Sequence, residues 1–232
     1  MSGSFASSLV ARAPFGMPRF ALLRALRRAD LQVGSRVRVP VEHIPASIRA
    51  TLVAEAAKLA RLGFELCCHE RVQPFLRTRR ADTWGATLWN ESWRSFAVLT
   101  ATAKPEPQRS LDVWFWSLLR DGSRLLTTSG AGWALVGDDG RTELHDAHAH
   151  TLAAHCDAHF ERLGALPPER HPVRATQAAF ADGTREDARR RIDRMIAAGD
   201  LFETRDGAWH LGWRGALRWA RILRSRFRSA PG

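Results

Sequence analysis

The stretch Leu111-Asp112-Val113-Trp114-Phe115-Trp116-Ser117-Leu118-Leu119-Arg120-Asp121-Gly122-Ser123-Arg124-Leu125-Leu126-Thr127-Thr128 decides the fold. Its first half is nearly continuous apolar sequence, rich in rings and β-branched residues, which predicts a central strand covered on both faces. Trp114 and Trp116 then point one way and Phe115 the other. Asp121-Gly122 favours a hairpin turn, because glycine takes positive φ without steric cost. Residues near Leu118 and Leu119 are therefore expected to pair with residues near Leu125 and Leu126. Upstream, residues 64–76, 84–90 and 94–103 are also rich in Phe, Trp, Val, Leu and Thr and are bounded by Pro, Gly, Asn or Asp. They predict an antiparallel meander. The loop around Gly130, Gly132, Gly137 and Gly140 ends it.

Helical periods flank this sheet. Ile48, Leu52, Ala56, Leu59 and Leu62 recur at threes and fours after Pro45 and stop at Gly63, an αL cap position. A short basic helix is expected around Phe20, Leu22, Leu23 and Leu26, and another helix over Glu143–Leu163. Pro167-Pro168 and His171-Pro172 read as a linker. Beyond it a short helix, Val173 to Phe180, is expected to turn at Asp182-Gly183. Thr184 and Asp187 would open a second helix running to Ala198. Two β runs, Leu201–Thr204 and Ala208–Leu211, and an arginine-rich helix from Trp213 complete the chain. The fold class is therefore α+β: an antiparallel sheet meander packed with helices, plus a small C-terminal helix and hairpin unit that is winged-helix-like. The expected divisions are a basic N-terminal segment 1–45, a sheet domain 46–166 and a C-terminal unit 167–232.

With 232 residues, 45% hydrophobic and 25% charged, the composition is that of an ordinary globular protein. Three cysteines, two of them adjacent at Cys67 and Cys68, exclude a disulfide framework and a CxxC zinc knuckle. Reduced thiols in a cytoplasm are expected, and neither a secretion signal nor a membrane-spanning run is recognisable. Of 35 basic residues only Lys58 and Lys104 are lysine, a skew that a GC-rich genome would produce. The formal charge of +11 favours anionic partners, nucleic acid or an acidic membrane surface.

His145, His148, His150, His155 and His159 fall within fifteen residues, with Asp146, Cys156 and Asp157 among them. His155 and His159 share a helix face at metal-ligand spacing. No HExxH and no second ligand pair completes a site, so histidines packed in the core or solvated are the expectation. Trp84, Trp89, Trp93, Trp114, Trp116 and Trp133 could stack on bases or sugars if exposed, but core packing is expected. No G-x-S-x-G elbow, P-loop, dinucleotide loop or EF-hand is present. No catalytic, cofactor-binding or metal-ligating residue and no cofactor is assigned.

In the C-terminal unit Arg189, Arg190, Arg191 and Arg194 would lie on a major-groove helix, but Glu186, Asp187 and Asp193 share it and would repel phosphates. The last helix carries Arg214, Arg218, Arg221, Arg224, Arg226 and Arg228 without an acid. Trp213, Leu217, Ala220, Leu223 and Phe227 form its apolar stripe. Arg214, Arg218, Arg221, Arg224 and Arg228 are the candidate anion-facing surface. They serve that role if the stripe is open to an interface, and are merely solvated if it packs inward.

Four segments carry a resemblance: Leu59-Ala60-Arg61-Leu62-Gly63-Phe64; Trp116 through Thr128; His159-Phe160-Glu161-Arg162-Leu163; and Trp209-His210-Leu211-Gly212-Trp213-Arg214-Gly215-Ala216. Together, over about residues 45–228, they resemble an uncharacterised family of bacterial proteins of unknown function. The resemblance implies a bacterial protein and no particular activity. The leading expectation is a non-catalytic cytoplasmic binding or interaction protein, with or without peripheral attachment to the membrane. A winged-helix nucleic-acid binder comes second and a metal-dependent hydrolase third.

Overall fold

The computed structural model describes residues 23–24, 26–27, 30–31, 35–73, 76–77, 82–102, 111–128, 140–147, 151–204 and 209–228. A seven-stranded sheet forms the centre. Its order is β2 (Ser35–Arg38), β3 (Glu65–Gln73), β5 (Thr83–Asn90), β6 (Ser95–Thr102), β7 (Leu111–Leu118), β8 (Arg124–Thr128) and β9 (Thr142–Asp146). All neighbours are antiparallel except β8 and β9, which run parallel. A smaller antiparallel sheet joins β10 (Leu201–Glu203), β11 (Trp209–Leu211), β1 (Asp30–Leu31) and β4 (Leu76–Arg77) in that order.

The hairpin over residues 111–128 pairs Trp116 with Leu126, Ser117 with Leu125 and Leu118 with Arg124. The Leu119 N–H continues to the Ser123 carbonyl at 2.9 Å, so three residues, 120–122, turn the chain, and Gly122 takes φ +78°. A three-residue loop ending in an αL glycine is a common hairpin geometry.

Both faces of the sheet are covered, as β7 requires. On one face, Ala97, Leu99 and Phe115 pack with α1 (Ala46–Arg61) through Ile48, Leu52 and Leu59, and with α2 (Leu152–Gly164) through Cys156 and Phe160. On the other, Phe96, Val98, Trp114 and Trp116 pack with α3 (Gln177–Ala197) through Phe180, Ala188, Ile192 and Met195. Ala216, Trp219 and Ala220 of α4 (Trp213–Arg228) and the N-terminal Leu23 and Leu26 join that cluster. α1 follows Pro45 and closes at Gly63, φ +84°, with the Phe64 N–H on the Leu59 carbonyl.

Two expectations are corrected. Residues 142–146 are strand rather than helix, and α2 starts at Leu152 behind Thr151, whose hydroxyl accepts from the Ala154 N–H at 3.1 Å. Strand β9 covers the otherwise open edge of β8. The helix–turn–helix expected at Asp182-Gly183 is one unbroken 21-residue helix, α3, capped by Thr176. Gly183 serves contact rather than a turn: a Cβ there would lie 3.2 Å from both Trp116 Cζ2 and Arg124 Nε. Thr184 bonds back to the Ala181 carbonyl instead of capping a helix, and Asp187 pairs with Arg124 at 2.5 Å.

Candidate functional site

Charge is strongly segregated along the chain. Residues 1–29 carry five arginines and no acid, residues 207–232 carry six arginines and no acid, and the stretch between balances 24 bases against 24 acids. The whole +11 therefore resides in the two ends. Their described parts meet: Asp30 and Leu31 of β1 pair with His210 and Trp209 of β11, and the Arg27 guanidinium lies 4.2 Å over the Trp213 ring.

On α4 the inward stripe is rotated from the one read in sequence. Ala216, Trp219 and Ala220 are buried, whereas Trp213 and Leu217 are 52% and 42% exposed. Arg214, Arg218 and Arg221 are exposed beside them. The side chains of Leu223, Arg224, Arg226, Phe227 and Arg228 lie outside the described residues. Arg218 reaches Asp200, a carboxylate 1% exposed, at 2.6 Å, so its charge is largely offset locally. The outer surface thus combines an indole, a leucine and unshared guanidinium charge from Arg214 and Arg221.

The histidine cluster is taken up by the core. His148 and His150 lie outside the described residues, and His145 sits half-buried in β9. His159 is fully buried, with Nε2 3.0 Å from Ser117 Oγ and 3.3 Å from Ser95 Oγ, and Nδ1 2.8 Å from Thr127 Oγ1. Phe115 stacks on His159 at 5.5 Å and meets His155 edge-on at 5.0 Å. Burial pushes His155 down to about 4 and His159 down to about 3, with a further push from neighbouring histidines. Both imidazoles are therefore neutral near pH 7. A serine beside an imidazole suggests a nucleophile and base, but Ser95, Ser117 and His159 are all completely buried, and the second ring nitrogen meets a threonine rather than an orienting carboxylate. Among the described residues no three His, Cys, Asp or Glu side chains converge for a metal.

The four arginines expected on a reading helix have different tasks. Arg191 is buried, Arg190 pairs with Glu186 and Asp187, and the outward face of α3 mixes Asp182, Glu186 and Asp193 with Arg185, Arg189 and Arg194. Such a face has no net attraction for phosphates. The tryptophans are mainly structural: Trp84, Trp114 and Trp116 are buried, and Trp93 stacks on Phe160 at 4.4 Å. Trp133 is outside the described residues.

Sequence reasoning passed over the buried Arg36–Glu70 pair, 2.5 Å apart with side chains 4% and 6% exposed, because no local pattern announces a contact across 34 residues. It also passed over the meeting of the termini, although their acid-free composition was there to be read. No family model, no curated protein and no solved structure matches the chain, so the surface at Trp213 stands on its own chemistry.

Proposed function

We propose that the protein is a non-catalytic peripheral binder of anionic lipid surfaces in a bacterial cytoplasm, docking through α4 and the arginine-bearing N-terminus. The observation that carries the reading is the confinement of all net charge to two segments that meet at Arg27 and Trp213, beside an exposed Leu217. Each arginine near an anionic leaflet contributes about 1 kcal/mol. A half-exposed Trp and Leu add about 1 kcal/mol each on entering the interface. Among the described residues no helix is long and apolar enough to cross a membrane, so attachment at the surface is the geometry to test. The same features fit nucleic acid less well. One face of the Trp213 ring is covered by Arg27 and so cannot stack on a base, and Leu217 gains nothing from phosphates.

Co-sedimentation with phosphatidylglycerol vesicles is expected to be salt-sensitive, and phosphatidylcholine vesicles are expected to bind little. Arg214→Gln with Arg221→Gln should weaken binding roughly 30-fold, the equivalent of about 2 kcal/mol. Trp213→Ser with Leu217→Ser should lower it by a similar factor while leaving the fold intact. Equal binding to both lipids, or wild-type binding by both double variants, would overturn the proposal. Duplex DNA binding without vesicle binding would transfer the surface to nucleic acid.

A further inference from the structure

A second feature lies away from α4, where a cleft of about 490 Å3 opens between the sheet and the first residues of α3. Its apolar wall is made by Trp89 and Phe96, whose rings are 4.6 Å apart and tilted by 51°, with Ala175 beside them. The register of β3 against β5 slips between Leu66 and Cys68, and the extra residue, Cys67, stands at the rim. Gln177 is fixed there by two bonds: its carbonyl oxygen accepts from Arg38 and its amide donates to the Cys68 sulfur. Arg174 completes the rim. Its guanidinium meets Glu91 at 3.5 Å, and both side chains are mostly exposed. Such a pair is worth little in water, so Arg174 can exchange one carboxylate for another at small cost. Glu91 itself stays anchored by the Trp89 indole N–H at 2.7 Å.

We propose that this cleft binds a small apolar monocarboxylate, its hydrocarbon body against Trp89 and Phe96 and its carboxylate on Arg174. The volume lies within the range of small-molecule sites, which are mostly apolar with a few placed polar groups. Among the described lining residues Arg174 is the one charged side chain, so the cleft offers a guanidinium to an anion and nothing to a cation. An aromatic wall accepts either an acyl chain or an aryl ring.

Cys67 is exposed at the mouth, Cys156 is buried and Cys68 is half-buried with its thiol pushed up to about 11 by burial, so modification of Cys67, told from Cys68 by fragment ions, reports occupancy. The full-length protein is treated with N-ethylmaleimide and the Cys67 peptide is followed by mass spectrometry, with decanoate or 1-naphthylacetate present. Decanol and 1-naphthaleneethanol serve as uncharged counterparts, and calorimetry measures binding independently. The acids should slow labelling at least fivefold, and the alcohols should require at least tenfold higher concentrations. Arg174→Gln, at an exposed position, should erase that preference. Whichever acid binds more tightly separates an acyl from an aryl occupant. Absence of both heat and protection with either acid would overturn the proposal. So would equal affinity for acid and alcohol, or an undiminished preference in Arg174→Gln.

Discussion

Acidification from pH 7 to pH 5 is expected to cost this fold about 4 kcal/mol, through two side chains that sequence alone marks as possible metal ligands. His155 and His159 are buried and neutral in the native state, with values held down to about 4 and about 3, whereas an unfolded histidine titrates near 6.5. As pH falls below 6.5 the unfolded chain takes up two protons that the folded chain refuses, and stability declines. At pH 5 each site is about 1.5 units below its unfolded value and still above its folded one, so each costs about 2 kcal/mol. The decline levels off only as pH passes through about 4 and then about 3. His69, also lowered by burial, acts in the same direction. The lowered carboxyls of Asp121 and Glu186 remain largely ionised in both states at pH 5, and most of their contribution is lost only at lower pH. Against a total stability of order 5–15 kcal/mol the histidine effect is large. With an m-value of about 2–3 kcal/mol/M it shifts the urea midpoint by about 1.3–2 M. His155→Leu removes one titrating group, leaves the apolar contact with Phe115, and should halve the shift. A change below about 1 kcal/mol between the two pH values, or an undiminished shift in His155→Leu, would refute the buried neutral pair.

Gly183→Ala gains about 1 kcal/mol of helix propensity but places a methyl 3.2 Å from Trp116, which is 1% exposed and cannot recoil. Overpacking of 1–3 kcal/mol should win, and urea unfolding should show a net loss of about 1 kcal/mol; a gain would mean that α3 does not cross the sheet so closely. Glu70→Ala strands the Arg36 guanidinium in the core and should cost about 3–5 kcal/mol, much of it restored in the Arg36→Met, Glu70→Leu double variant. Equal losses in the single and double variants would show that stranded charge is not the cause.

The central strands were legible because β7 needs cover on both faces, a demand written into each successive residue from Val113 to Trp116. Non-local demands were not legible. The strand nature of Thr142–Asp146 comes from the edge of β8, across a glycine-rich stretch of sequence, and nothing within those five residues distinguishes it from the start of a helix. Gly183 reads alike whether a turn or a close approach requires it, and only its position over Trp116 decides. The stripe on α4 was ambiguous for a related reason. Trp213, Ala216, Leu217, Trp219 and Ala220 form two overlapping apolar faces, and the one that joins the core cluster, Ala216, Trp219 and Ala220, turns inward.

The partition of charge explains why +11 overstates the cationic surface of the body: all of it is carried by the two terminal segments. Mid-chain arginines are engaged in holding elements together: Arg36 with Glu70 between β2 and β3, Arg124 with Asp187 between β8 and α3, and Arg162 with Glu143 between α2 and β9. An acid bound in this way no longer repels an anionic partner, and its arginine no longer attracts one. The terminal arginines have no acid of their own, and Arg218 alone among those described on α4 borrows one, Asp200, from the α3–β10 junction. That loan fixes the N-terminal half of α4 against the body, as does the Gly212 N–H on the Asp200 carbonyl at 2.9 Å. Arg214 and Arg221 are left projecting from a helix whose position is set. Rigid placement matters because binding then orders little of the chain, and the entropy that a loose basic tail would surrender at a surface has already been lost in folding.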